Sequence, residues 1–220
     1  MKVNEKICLR VLDAAMTDWA FKDLLLALPE KNIKEIIVLP SYLRRAKQLL
    51  ARTAIKIGAV VDYPLGAGTI SKKAFEVGQL FQQGADFLEV TISEELLLHQ
   101  TAELDQFQTN IHPLTLVWGE VRMHLVTDQM KELAKISCAQ KINRLGWKTI
   151  SLGQKLSIKQ ALHDSVIFEY DGGKNLAIQL NLDYLDFQEL AELLQTKVQK
   201  IGLIHSDSLD LLYELPTNAS

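Results

Sequence analysis

Histidines, cysteines, lysines and carboxylates are the groups here that could do chemistry, and most familiar spacings between them are missing. The five histidines, His99, His112, His124, His163 and His205, show neither an HxxxH nor an HExxH arrangement, so no metal site is expected. Cys8 and Cys138 lie far apart with no CxxC, which reads as two reduced core thiols rather than a redox pair. No GxSxG turn and no Cys–His pattern offers a nucleophile. The run Asp171-Gly172-Gly173-Lys174 has the composition of a phosphate-cradling loop. It lacks the GxxxxGK[ST] spacing and sits between two apolar runs, so it reads as the turn of a β-hairpin. Lys72-Lys73 reads as a solvated helix face. Two polar groups stand at strand ends: Asp13 closes the first apolar run, and His205 follows the last.

The elements that must position such groups follow a simple rhythm. Short runs rich in β-branched residues at 7–12, 33–39, 54–62, 86–92, 114–117 (extending toward 123), 148–152, 176–180 and 198–204 alternate with helical-period segments. Thr17 is placed to cap the first helix, Thr127 the helix that stops at Gly146, and Asp186 with Glu189 forms a capping box. The strands are nearly continuous apolar runs, as in strands covered on both faces. Eight strand–helix pairs in 220 residues predict a single (β/α)8 barrel over 1–220. An open doubly wound sheet is the main alternative. The run 166–170, paired with 176–180 around the Asp-Gly-Gly-Lys turn, predicts an extra hairpin strand ahead of strand seven.

Composition narrows the function. Apolar residues make up 48% of the chain, and 24 Lys+Arg face 27 Asp+Glu for a formal charge of -3. No basic stripe suggests nucleic acid, and no apolar run approaches the roughly 20 residues that span a bilayer. The start, Met-Lys-Val-Asn-Glu-Lys, lacks a secretory pattern, so a cytoplasmic location is expected. A homo-oligomer is compatible with a barrel of this size.

The stretch 60–92, VVDYPLGAGTISKKAFEVGQLFQQGADFLEVTI, resembles the core of the deoxyribose-phosphate aldolase family, with Pro64, Gly66, Ala67, Thr69, Lys73, Glu76, Gly84, Ala85 and Asp86 in register. Weaker echoes are Leu12-Asp13 with Thr17, the segment 36–42 (IIVLPSY), and Ile201-Gly202 followed by Ser206. The resemblance implies a class I aldolase that needs no cofactor: one lysine forms a Schiff base, a second lowers its pKa, and a carboxylate relays protons.

Placed on this sequence, the carboxylate role falls on Glu89. The Schiff-base position falls on Ser151, and the second lysine position on Gln179. Lys148 is three residues from Ser151, an odd offset that points it to the other face of a strand. The family's Gly-Gly phosphate loop corresponds to Leu182-Asp183, where an acid would repel an anion, while Ser206 and Ser208 near the last helix could still bind one.

Since serine cannot form an imine, the expected function is a divergent barrel that has lost Schiff-base chemistry. It would bind a small phosphorylated, otherwise anionic or hydroxylated ligand at the C-terminal ends of the strands. Its expected lining is Asp13, Glu89, Ser151, Gln179, His205 and Ser206. The alternative is an active carbon–carbon lyase using a displaced lysine or a non-imine acid/base route, and a purely structural role is the third reading.

Overall fold

In the computed structural model, which describes residues 3–204, eight parallel strands close into a barrel in the order β1 to β8. The strands are β1 Ile7–Val11, β2 Glu35–Val38, β3 Lys56–Val61, β4 Phe87–Thr91, β5 Glu120–Leu125, β6 Thr149–Leu156, β7 Ala177–Leu182 and β8 Lys200–Leu203. The helices between them are α1 Asp18–Ala27, α2 Leu43–Leu49, α3 Ile70–Gln82, α4 Glu94–His99, α5 Thr101–Val117, α6 Glu132–Leu145, α7 Ile158–Asp171 and α8 Phe187–Leu194. The pairing of β1 with β8, Cys8 opposite Gly202, completes the ring.

Alternation along each strand separates two interiors. One set of side chains, including Leu9, Val11, Ile36, Val38, Leu88, Val90, Met123, Leu152 and Leu180, faces the helices. There it packs against Phe21, Leu25, Val77, Phe81, Phe107, Ile142 and Phe168 in one continuous apolar shell. Each such buried side chain contributes about 1.5–3 kcal/mol. The other set points to the barrel axis. Its buried apolar members form a small separate cluster, Cys8, Ile37, Val60 and Phe87, with Leu12, Leu39 and Tyr63 packed against it, and most of its other buried side chains are polar.

Local chemistry explains most boundaries. Thr17, Thr69, Ser93 and Ser157 accept backbone N–H groups at the starts of α1, α3, α4 and α7. Asp186 and Glu189 form the expected capping box on α8. Gly146 ends α6 in the left-handed conformation at φ 71. The cap of α6 is Lys131, however, and Thr127 lies in a preceding turn where its carbonyl accepts from the Met130 amide.

Two element assignments fail as well. The hairpin strand at 166–170 is the second half of α7. The Ser157–Gln160 capping box starts that helix, and Ala161, Asp164, Ser165, Ile167 and Phe168 form its buried face at helical spacing. The run at 114–117 is the end of α5, with Pro113 inside the helix, and β5 begins only at Glu120. In both places a β-branched run too short to show a period was decided by packing rather than by propensity.

Candidate functional site

Inward-facing positions bring a polar cluster together near the C-terminal end of the barrel. Glu89 of β4 is fully buried and accepts both available contacts from Arg10 Nη1 of β1, at 2.8 and 2.6 Å. Gln179 Nε2 of β7 donates to Glu89 Oε1 at 2.8 Å, to Ser151 Oγ of β6 at 3.2 Å and to Asn181 Oδ1 at 2.9 Å. Asn181 Nδ2 closes the set on Ser151 Oγ and the Gly153 carbonyl, both at 2.8 Å. This packing requires space on β8: a Cβ at Gly202 would lie 2.1 Å from Asn181 Oδ1 and 2.9 Å from Arg10 Cδ.

Charge in this cluster is balanced internally. Burial alone would raise the Glu89 carboxyl, but the adjacent Arg10 guanidinium outweighs it and holds Glu89 below the ordinary carboxylate range. Burial pushes His124 of β5 down to about 4, so its imidazole is neutral near neutral pH. Its Nδ1 lies 3.2 Å from the Ser151 carbonyl, which can only accept, so Nδ1 carries the proton and Nε2 is an acceptor. That Nε2 has no partner, and neither do Arg10 Nε, Arg10 Nη2 or Thr91 Oγ1, all of them buried. Thr91 and His124 are register partners on β4 and β5. Tyr63 covers the group, its ring 6.0 Å from the Arg10 guanidinium carbon and 5.8 Å from the His124 ring. A cavity of about 260 Å³ opens among the segments that follow β3, β4 and β5, lined by Leu65, Ile92, Ser93, Glu94, Val126, Gln129 and Met130 and by none of the cluster's own side chains.

A second ionic cluster fills the opposite, N-terminal end. Arg122 of β5 donates through Nε to Glu120, and through Nη1 to Glu35 at 3.1 Å and Gln179 Oε1 at 3.2 Å. Its Nη2 lies 2.8 Å from Glu120, and the guanidinium sits 4.0 Å over the Phe87 ring. Lys200 pairs with Glu35 as well. Burial raises the Cys8 thiol to about 12, so it is no nucleophile.

The rim supplies further cations. Lys73 of α3, read from sequence as solvated, is buried and donates to Asp62 and to the Gly66 and Thr91 carbonyls. Burial draws its ammonium below the usual lysine range, though Asp62 works against that shift. Asp128, in the segment between β5 and α6, accepts from the Gln154 and Lys155 amides and fixes the end of β6. The Lys155 side chain is 61% exposed, and its ammonium faces Asp183 at 3.5 Å.

Of the residues singled out from sequence, Glu89, Ser151 and Gln179 meet in one hydrogen-bonded group. Asp13 does not join it: the side chain is exposed and accepts from the Ala15 amide at 2.8 Å. His205, Ser206 and Ser208 lie outside the described residues. Sequence reasoning missed Arg10, Thr91, Asn181 and Tyr63, and treated His124 only as a failed metal ligand. The available signal was a charged residue on the inward register of an otherwise apolar strand, as in Ile7-Cys8-Leu9-Arg10-Val11.

No protein-family model matches the chain. The deoxyribose-phosphate aldolase of Streptococcus pneumoniae serotype 19F (strain G54) is 30% identical over 140 residues, which cover 61% of this chain and 63% of that relative. The match thus spans just under two thirds of the pneumococcal relative's length. The deoxyribose-phosphate aldolase of Mycoplasmoides gallisepticum is 27% identical over 202 residues, covering 86% of this chain and 83% of the relative.

Solved structures agree on the fold. The aldolase QR15 superposes with a TM-score of 0.81 at 14% identity, over 97% of this chain and 96% of the other. The tetrameric deoxyribose phosphate aldolase of Aeropyrum pernix gives 0.76 at 13% identity, over 96% and 89%. Sequence relatives and barrel together support a divergent chain similar to the deoxyribose-phosphate aldolases.

Proposed function

We propose that this protein keeps the aldolase barrel without its Schiff-base chemistry and binds a small anionic or hydroxylated compound at the C-terminal end. The observation that carries this reading is the Glu89–Ser151–Gln179 group. The two positions assigned to lysines face the interior, touch each other, and present a hydroxyl and an amide. Neither can form an imine. The carboxylate beside them is held ionised by Arg10, which makes it a poor proton relay. The partnerless atoms favour a hydroxylated anion: two donors on Arg10, an acceptor on His124 and a hydroxyl on Thr91 match a ligand with both acceptor and donor oxygens.

One observation favours a working lyase instead. Lys155 lies on the same strand as Ser151, toward the mouth, and carries an exposed ammonium. Incubation with acetaldehyde or with deoxyribose 5-phosphate, followed by borohydride and intact-mass measurement, separates the two. The expected result is no added mass. A stable adduct mapping to Lys155 would establish the lyase reading in place of the first.

A cytoplasmic setting fits the two unpaired, buried cysteines. The tetrameric Aeropyrum pernix relative makes self-association a reasonable companion proposal, read directly by solution mass.

A further inference from the structure

A cleft of about 740 Å³ opens at the N-terminal end of the barrel, between the second half of α5 and the first residues of β5 and β6. Its volume lies in the range of small-molecule sites. Its apolar wall is built from Ile111, Val121, Leu145 and Trp147, and polar side chains such as Gln108, Thr109 and Thr149 edge it. The one acid in the lining, Glu120, is already satisfied: Oε1 accepts from Thr149 Oγ1 and Oε2 from Arg122. The two basic groups in the lining differ. The side chains of Lys148 and His112 have no hydrogen-bond or ion-pair partner among the described residues, and both are exposed. The indole Nε1 of Trp147 is a buried donor without an acceptor in the same wall. An apolar wall, a neutralised acid and unsatisfied donors are complementary to a molecule that is mostly flat hydrocarbon with one negative group.

We propose that this cleft is a second binding site, separate from the mouth, for a small aromatic anion of the carboxylate or sulfonate class. The ring would lie against Trp147 and Ile111, and the anionic group would meet Lys148. This proposal does not depend on whether the mouth performs aldol chemistry.

The test uses 1-anilinonaphthalene-8-sulfonate as probe on the intact protein, with calorimetric titration and amide chemical-shift mapping. The expected result is one saturable site, with shifts confined to 108–121 and 145–149. Lys148→Glu should weaken binding roughly five-fold or more, while Lys22→Glu, an equal charge change on exposed α1, should not. Thr109→Trp, on the exposed rim of the cleft, should block it sterically. Three outcomes overturn the proposal: no saturable binding, shifts centred on Leu65 and Ile92–Glu94 at the mouth, or equal loss from Lys148→Glu and Lys22→Glu.

Discussion

Among the described residues the barrel holds two buried arginine–carboxylate clusters, one at each end, and they are finished to different degrees. At the N-terminal end Arg122 uses Nε and both terminal nitrogens on Glu35, Glu120 and Gln179, and stacks on Phe87. At the C-terminal end Arg10 spends one nitrogen on Glu89 and leaves two buried donors unmatched. A saturated cluster is what structure alone asks for. An unsaturated one, on the face where barrels of this kind carry their sites, is what recognition asks for. On the proposed reading, the same ion-pair chemistry serves as a plug at one end and as a receptor at the other.

The sharpest way to test that division is to put an amine back. Ser151→Lys places a lysine beside Gln179 and Asn181, where burial lowers its pKa. Acetaldehyde and borohydride should then give an adduct at position 151, against none in the parent chain. A parent that is already labelled would break the comparison at its functional end.

Next in size is loss of the upper carboxylate. Glu89→Ala leaves Arg10 buried and uncompensated, an expected cost of about 3–5 kcal/mol in denaturant unfolding. Glu35→Ala should cost less, about 1–3 kcal/mol, because Arg122 keeps Glu120 and Lys200 is partly exposed. Equal costs would mean that the two ends are equivalent.

Acid sensitivity distinguishes the ends as well. The folded-state pKa of His124 is depressed from 6.5 to about 4, so the unfolded chain takes up the proton first as pH falls. Its contribution is present above about pH 6.5 and is lost progressively down to about pH 4, to the extent of about 3 kcal/mol. His124→Phe should flatten the stability profile in that window. The depressed carboxyl of Glu89 acts lower: its contribution is present above the unfolded carboxyl value, about 4.3, and is lost as pH falls through the folded one. Denaturant titrations of both proteins at stepped pH check the prediction.

The smallest effect belongs to the rim of the α-helical layer. Lys47 and Asp86 are about one-third exposed and pair at 3.1 Å, so Lys47→Ala should cost at most about 1 kcal/mol.

Much of this was legible in the chain. The alternation of strand faces is rigid, so once 60–92 set a register, Glu89, Ser151 and Gln179 had to point to one axis. Asp13 was not recoverable in the same way, because it lies beyond the end of β1, where a local turn to Ala15 decides its direction. Arg10 went unnoticed because one charge in an apolar strand is easily taken for a side chain reaching out to water, and only the opposing Glu89 shows otherwise. The 166–170 segment misled because its β-branched residues mask a helical face that becomes visible only when α6 packs against α7.

Gln179 deserves a different description from that of a substituted lysine. It gives its Nε2 hydrogens to the upper cluster and its carbonyl to Arg122 below. Glu89 and Arg10 meanwhile tie β4 to β1, strands that share no backbone hydrogen bonds and are separated by β2 and β3 on the shorter way round. In mechanical language the pair is a diagonal brace across a hoop, with Gln179 as the rivet joining it to the lower floor. A hoop braced in this way resists becoming oval. Amides of β1 and β4 should therefore exchange as one cooperative unit, although nothing in the ladder between them requires it.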